Sequence, residues 1–261
     1  MAILDIIIAH KADEKSNAYL SRLLSSIDAW QKNSSCQRSD INIIIVANTR
    51  DVDCGKVINY FKDLNIEFVE DNVMSGVYNA YGIGFAHGSL PYCIFLGSDD
   101  IILVSFTHIL NRLISGDVDL VLTNYIHEEK GIVKQQPSRL FLVFKNWCQQ
   151  SIIYKRDLLK SLHPLFNQKY KIQADHDLHI RLMKKETFVK IQKFESAPIV
   201  FGSSGLSSHA IDYAFKKDMH TIVAHNLGIG YSVLSRLRSV MGYFARKIYR
   251  ISGYQKMAFH K

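Results

Sequence analysis

Tyr92-Cys93-Ile94-Phe95-Leu96-Gly97-Ser98-Asp99-Asp100 is the stretch on which the reading of this chain turns. Five apolar residues between Pro91 and Gly97 read as an inner strand of an α/β sheet, too short for a buried helix and bounded by chain-breaking residues. The carboxyl ends of such strands are where these sheets bind ligands. Two adjacent carboxylates there repel each other at neutral pH unless a cation lies between them or water screens them. A divalent-metal site and a solvated acidic turn both satisfy that local pattern, so the surrounding chain has to decide between them.

The chain has 261 residues, 48% hydrophobic and 21% charged, enough for one large α/β domain or a domain with an appendage. No apolar run approaches the roughly 18 residues needed to span a bilayer. The segment Met1–Ile8 carries Asp5 and lacks a basic front, so it reads as a first strand and not as a leader. Cys36, Cys54, Cys93 and Cys148 show no paired spacing for zinc or redox work and read as reduced thiols of a cytoplasmic protein, with Cys93 in the core. The net charge of +8 is concentrated at one end. No acidic residue follows Asp218, whereas Arg236, Arg238, Arg246, Lys247, Arg250, Lys256 and Lys261 are all basic. Such a tail favours anionic lipid or nucleic acid.

Upstream of the quoted stretch, Leu4–Ala9, Ile41–Ala47 and Ile66–Val69 read as strands. Between them lie a helix with Leu20, Leu23, Leu24 and Ile27 on one face, for which Asn17 is the expected N-cap, and a short helix around Val57–Phe61. Gly76–His87 reads as a further helix. Downstream come a helix over Ser105–Ile114, a strand over Asp119–Tyr125 and a hairpin return at Ile132–Gln135. Further on are a strand at Ile152–Tyr154, a helix over Arg156–Ser161 and a helix to about Lys185. Strands at Phe188–Ile191 and Pro198–Phe201, a small-residue loop at Gly202–Ser208 and a mostly helical remainder complete the pattern. Strand and helix alternate as in parallel βαβ units. Ala9-His10-Lys11-Ala12-Asp13 has no glycine, which excludes a dinucleotide fingerprint, and Gly202-Ser203-Ser204-Gly205 lacks the ending of a P-loop.

Two acidic constellations remain. Asp99-Asp100 suits magnesium or manganese, which take oxygen ligands and are commonly held by one or two carboxylates plus substrate phosphates. Asp175 and Asp177 stand at a helix start, where either could cap the helix or complement its dipole. His176 reads as a surface or packing residue.

Three segments in order carry a resemblance. Gly76-Val77-Tyr78-Asn79-Ala80-Tyr81-Gly82-Ile83-Gly84, leading to Tyr92–Asp100, comes first. Cys148-Gln149-Gln150-Ser151 and Tyr170-Lys171-Ile172-Gln173-Ala174-Asp175-His176-Asp177-Leu178 follow. Together they resemble the family 2 glycosyltransferases of the inverting GT-A type, closest to the branch of bacterial colanic-acid, capsule and O-antigen assembly. The resemblance implies an α/β GT-A fold, a mixed, mainly parallel sheet flanked by helices, with a C-terminal helical basic tail. It implies a transferase domain over 1–215, with a nucleotide-sugar half at 1–125 and an acceptor half at 126–215, and a tail at 216–261.

The resemblance further implies a nucleotide-sugar donor, a lipid-linked glycan acceptor and a divalent metal, Mg2+ or Mn2+. In its terms Asp100 ligates the metal with Asp99 beside it, and Asp175 is the general base. Ala9, His10, Asn48, Asn79 and Ser98 line the nucleotide-sugar site, and Gln150, Asp177 and Arg181 support the acceptor side. The chain departs from the family pattern mostly on the donor side: Asn48-Thr49-Arg50 replaces an acidic segment, Asn79 replaces an aspartate, Gly82-Ile83 replaces Asn-Lys, and Gln149 replaces a histidine. A non-catalytic sugar- or partner-binding subunit is the alternative these departures favour.

In the tail, Leu234, Leu237, Val240, Met241, Phe244, Ile248 and Ile251 recur at helical spacing among arginines. That pattern suits either a helix lying on an anionic membrane surface through 232–261 or a helix packed on the domain. Nucleic acid is not an expected partner: Tyr243, Phe244, Tyr249 and Tyr254 are aromatic, but no recognised module surrounds them.

Overall fold

The computed structural model describes residues 3–11, 13–34, 38–47, 52–73, 75–114, 118–184, 188–202 and 210–251, with backbone alone at 38, 52, 53, 114 and 242–251. In chain order the elements are β1 (Leu4–His10), α1 (Glu14–Lys32), β2 (Ile41–Ala47), α2 (Val52–Tyr60), β3 (Ile66–Glu70), α3 (Val77–His87) and β4 (Tyr92–Gly97). There follow β5 (Ile101–Ile102), α4 (Thr107–Ile114), β6 (Leu120–Thr123), β7 (Tyr125–His127), β8 (Gly131–Val133) and α5 (Arg139–Phe144). The remainder comprises β9 (Ile152–Lys155), α6 (Arg156–Lys160), α7 (Ala174–Leu182), β10 (Ile191–Phe194), β11 (Ile199–Phe201), α8 (Tyr213–Asn226) and α9 (Ile229–Ile251).

A seven-stranded sheet runs β10-β6-β9-β4-β1-β2-β3, and β9 alone is antiparallel to its neighbours. Alternate side chains point to opposite faces of a strand. Ile6, Ile8, Ile43, Ile45, Ile94 and Leu96 accordingly meet α1 and α4 on one face. Ile7, Ile44, Val46, Cys93 and Phe95 meet α3, α7 and α8 on the other. Strands buried on both faces are continuous apolar runs, which is why β1, β2 and β4 are so plain in the sequence. Each such Ile, Leu or Phe contributes about 1.5–3 kcal/mol by leaving water. A smaller sheet, β5-β11-β7-β8, sits beside the first.

Several expectations shift. Helix α1 starts a turn before Asn17: Asp13 is its N-cap, accepting from the Ser16 N–H at 2.9 Å, and Asn17 is buried inside the helix, bonded to His10 Nε2 at 2.9 Å. The single strand read over Asp119–Tyr125 is two, β6 in the large sheet and β7 in the small one, parting at Asn124. Asn124 is buried; its side chain accepts from the Gln135 N–H and donates to the Glu195 carbonyl, which fixes the switch between sheets. The strand read at Phe188–Ile191 lies three residues later, at Ile191–Phe194. The expected boundary at 215/216 falls inside α8, whose Phe215, Met219 and Val223 belong to the same buried cluster as Leu178 and Phe95. The Gly202–Ser208 loop lies, apart from Gly202, outside the described residues.

Candidate active site

The parallel strands deliver to their carboxyl edge the residues that follow them; antiparallel β9 delivers there the residues that precede it. The segments after β1, β3 and β4 and the turn Cys148–Ser151 before β9 therefore share one edge. Helix α3 reaches the same edge. It begins at Gly76, whose φ of 114° suits glycine, and lies close to the sheet because Gly84 has no side chain: a Cβ there would stand 2.4 Å from Ile7 Cγ2.

Ala9 pairs in register with Gly97, so the end of β1 lies against the end of β4. His10 and Ser98 are buried at that edge. Asn79 donates to Asp71 Oδ1 at 3.0 Å, and Asp71 also accepts from the Val73 N–H. Asp71, buried just past β3, is a polar residue of this edge that the sequence reading did not single out. Asn48 lies outside the described residues.

Asp100 is 1% exposed and clamps the two sheets together. Its Oδ2 accepts from the Gly97 N–H at 2.7 Å and its Oδ1 from the Gly202 N–H at 3.0 Å. Burial, and then the neighbouring Asp99 charge, push its carboxyl up to about 8 in spite of those two bonds. Asp99 is half-buried, and its backbone carbonyl accepts from Arg22 Nη2 at 2.8 Å. A Cβ on Gly202 would stand 2.6 Å from the Asp99 carboxyl carbon, and one on Gly97 2.7 Å from its Oδ1, so two glycines make the space its carboxylate occupies. The solvated-turn reading therefore does not describe Asp100, which is sealed from water, whereas Asp99 keeps part of its surface exposed.

Among the described residues no three His, Cys, Asp or Glu side chains are grouped to hold a metal by themselves. What the pair does fit is a hard divalent cation shared with ligand phosphates. The donor atoms are carboxylate oxygens, each Asp100 oxygen keeps a lone pair beyond its N–H bond, and a cation would offset the cost of two adjacent enclosed charges.

On the other side, Asp175 stands in the first turn of α7. Its Oδ1 accepts from the Tyr78 hydroxyl and from the His176 N–H, both at 2.8 Å, and its Oδ2 from Asn146 Nδ2 at 2.7 Å. Three bonds favour the carboxylate, yet burial outweighs them and lifts the group to about 6. The segment leading into α7 is tied to α8. Asp212 Oδ2 accepts from the Ile172 and Gln173 N–H groups, and Asp218 accepts from Tyr170 and Lys169. Asp177 and Arg181 pair with each other at 2.8 Å, and Arg181 also donates to the Leu165 carbonyl, so they brace the helix. Gln150 is half-buried and accepts from the Cys148 thiol at 3.3 Å. His176 is a packing residue, bonded to the Leu142 carbonyl at 2.7 Å and held down to about 4 by burial.

The two acidic constellations act on the same buried groups. The Tyr81 hydroxyl, held well above its ordinary range chiefly by burial, also feels Asp100, Asp99 and Asp175, and its ring packs 6.3 Å from that of Tyr78, the partner of Asp175. The Cys148 thiol feels Asp100 and Asp175 and is likewise raised, burial again the main cause. Tyr78, Asn146, Asp212 and Asp71 are the residues sequence reasoning passed over. Tyr78 sat inside a quoted motif as a spacer, and Asn146 belonged to no motif at all.

This is the GT-A fold. The chain is similar to S. aureus TarS 1–349 solved with UDP-GlcNAc, with a TM-score of 0.68 and 15% identity over 88% of this chain and 69% of that one. It spans 41% of the longer TarS chain. It is also similar to the mannosyltransferase PcManGT from Pyrobaculum calidifontis solved with GDP-Man and Mn2+, with a TM-score of 0.59 and 10% identity over 97% of this chain and 81% of that one. No protein-family model and no curated protein sequence matches the chain.

Proposed function

We propose that the chain is an inverting, metal-dependent glycosyltransferase of family 2 type. It moves a sugar from a nucleotide-diphosphate-sugar to a hydroxyl of a lipid-linked glycan, as in assembly of capsule or lipopolysaccharide. The observation that carries this reading is that the acid pair Asp99-Asp100, at the end of β4, and Asp175, bonded to Tyr78 of α3, both act on Tyr81 of α3, which brings the two acidic groups to one neighbourhood. The bound nucleotide sugars of the two structural neighbours support the donor class.

In this reading Asp99 and Asp100 would hold a divalent cation together with the donor diphosphate. The cation supplies Lewis-acid stabilisation of charge on the departing nucleotide. Ala9, His10, Ser98 and Asn79 frame the nucleotide side; Asn48 is assigned to it from the sequence alone. Asp175 takes the acceptor's hydroxyl proton as that oxygen bonds to the anomeric carbon and the carbon–diphosphate bond breaks. The nucleoside diphosphate leaves with that electron pair. Gln150 borders the acceptor, while Asp177 and Arg181 hold α7 in place.

A donor panel tests the reading. Incubation with UDP-GlcNAc, GDP-Man and related donors in Mn2+ is expected to release UDP or GDP from one of them, and EDTA to stop it. Binding without release would favour the non-catalytic subunit. Neither binding nor release by folded protein with any donor would overturn the proposal.

The tail completes the reading as a membrane-surface element on the cytoplasmic side. Helix α9 turns small polar groups inward, with Ser232 and Ser235 buried and bonded to His220, and Arg238 donates to the Val143 carbonyl. It turns Val233, Leu237, Val240 and Met241 outward. No helix among the described residues is long and apolar enough to cross a membrane. An outward apolar face beside Arg236 and Arg238 suits the headgroup boundary of anionic lipid. The full chain is expected to sediment with phosphatidylglycerol vesicles at low salt and to be released by high salt, and Leu237→Glu with Val240→Glu to abolish the association. Equal sedimentation of the double variant would remove α9 as the contact.

A further inference from the structure

Asp175 is held from behind by a chain of polar side chains. A carboxylate offers about four lone-pair positions. Tyr78 and the His176 N–H occupy both on Oδ1 and Asn146 occupies one on Oδ2, which leaves a single position, on Oδ2. The sense of the Asn146 amide is dictated in turn. Its Nδ2 donates to Asp175, so its Oδ1, 2.8 Å from His179 Nδ1, must accept, and His179 carries its proton on Nδ1. His179 Nε2 is then bare and accepts from the Tyr154 hydroxyl at 2.7 Å. Burial holds His179 well below its ordinary value, which keeps the ring neutral and this tautomer in place. Tyr154 has no second proton for Gln149, 3.1 Å away. The Gln149 Oε1 contact is the longer of the two, so the Tyr154 proton goes chiefly to His179.

We propose that Asn146, locked by His179 and Tyr154, is the positioning residue that fixes Oδ2 as the oxygen of Asp175 open to an incoming hydroxyl. This rests on the reading of Asp175 as general base. Tyr78 has the complementary part. Its hydroxyl lies 2.6 Å from the Ile172 carbonyl as well as 2.8 Å from Asp175 Oδ1, so its proton can serve either acceptor as Asp175 changes charge. Titratable groups coupled to Asp175 include Tyr78 and Tyr81 from α3, Cys148, and Tyr154 from β9. All four are raised by burial and stay neutral near pH 6, and so does His176 beside it, held at about 4.

The test uses the full chain and two readouts: the titration of the Asp175 carboxyl by 13C NMR without ligand, and the pH profile of nucleotide release with the donor the panel identifies. Asn146→Leu removes one charge-assisted bond that favours the carboxylate over the acid. The Asp175 midpoint is expected to rise by about one pH unit, the acidic limb of kcat to follow it, and KM for the donor to stay within about twofold. Tyr154→Phe keeps the ring against Phe95 and His179, releases the tautomer, and is expected to move both readouts the same way by less. An unmoved carboxyl titration in both variants overturns the inference whatever turnover does. A shifted titration whose change the rate limb ignores removes Asp175 as the base and leaves Asn146 as its orienting partner only.

Discussion

Asp175→Asn is expected to lower nucleotide release by about 10²–10⁴-fold, the range a positioned general base contributes, while donor binding measured by calorimetry stays near wild type. The separation follows from geometry. Asp175 belongs to α7 and its partners Tyr78, Asn146 and the His176 N–H, whereas the donor side proposed above consists of Asp99, Asp100 and the ends of β1 and β4. An amide cannot take the acceptor's proton, so the chemical step suffers and the diphosphate contacts do not.

The pH dependence has a definite sign. The Asp175 carboxyl is raised to about 6, so it is base-competent above that value, and wild-type kcat should fall as pH drops through it. The variant should lose that limb. Stability runs the opposite way. A carboxyl whose folded value lies above its unfolded 3.8 binds its proton more tightly in the fold. Its contribution is therefore greatest at low pH and declines as pH rises toward 6. The melting temperature of the asparagine variant relative to wild type should accordingly improve across that window. Equal loss of donor binding and turnover would contradict the division of labour between the two acidic groups.

Arg156→Met is expected to cost about 3–5 kcal/mol of folding stability, the range for removing one partner of a buried ion pair. Asp5 is 0% exposed and Arg156 4%, and their contact is 2.5 Å. The guanidinium also donates to the carbonyls of Leu90 at 2.7 Å and Phe85 at 2.6 Å and lies over the Phe85 ring, while Asp5 accepts from the Leu90 N–H at 2.9 Å. This single knot joins the start of β1, the α3–β4 turn and the β9–α6 junction. It also accounts for Gly88, where a Cβ would stand 2.5 Å from Asp5 Oδ2 and 2.7 Å from Arg156 Nη2. Urea denaturation reads the cost, and adding Asp5→Leu should restore part of it by removing the stranded charge. The knot lies at the amino ends of the parallel strands, away from the candidate site. Donor affinity per folded molecule should therefore not change, and a loss below about 1 kcal/mol would mean water reaches the pair.

Periodicity made the doubly buried strands legible. Leu4–Ala9, Ile41–Ala47 and Tyr92–Leu96 announce themselves because both faces are covered. Strand β10 was misplaced because Ile191–Phe194 is half-exposed and alternates Ile-Gln-Lys-Phe, a weaker pattern than the Phe188–Ile191 run beside it. Helix α5 was missed because one and a half turns of Arg-Leu-Phe-Leu-Val-Phe carry no period long enough to read. With it went Asn146, which lies just past its end. Asp99, Asp100 and Asp175 could be named because charged residues at element ends stand out against an apolar background. That Asp100 spans two sheets, or that Asp175 leans on Tyr78, depends on chain crossings of about a hundred residues that no local pattern encodes.

The reversed strand β9 has a consequence for how the chain is made. It fills the gap between β4 and β6, yet it is synthesised about 55 residues after β4 ends. At roughly 5–20 residues per second, the nascent chain waits several seconds with one edge of Tyr92–Leu96 unpaired. An unpaired strand edge is a template for pairing with another chain. A chain cut after residue 125 would lack β9 and leave the sheet open beside its middle strand, so the segments on either side of that point share one folding event.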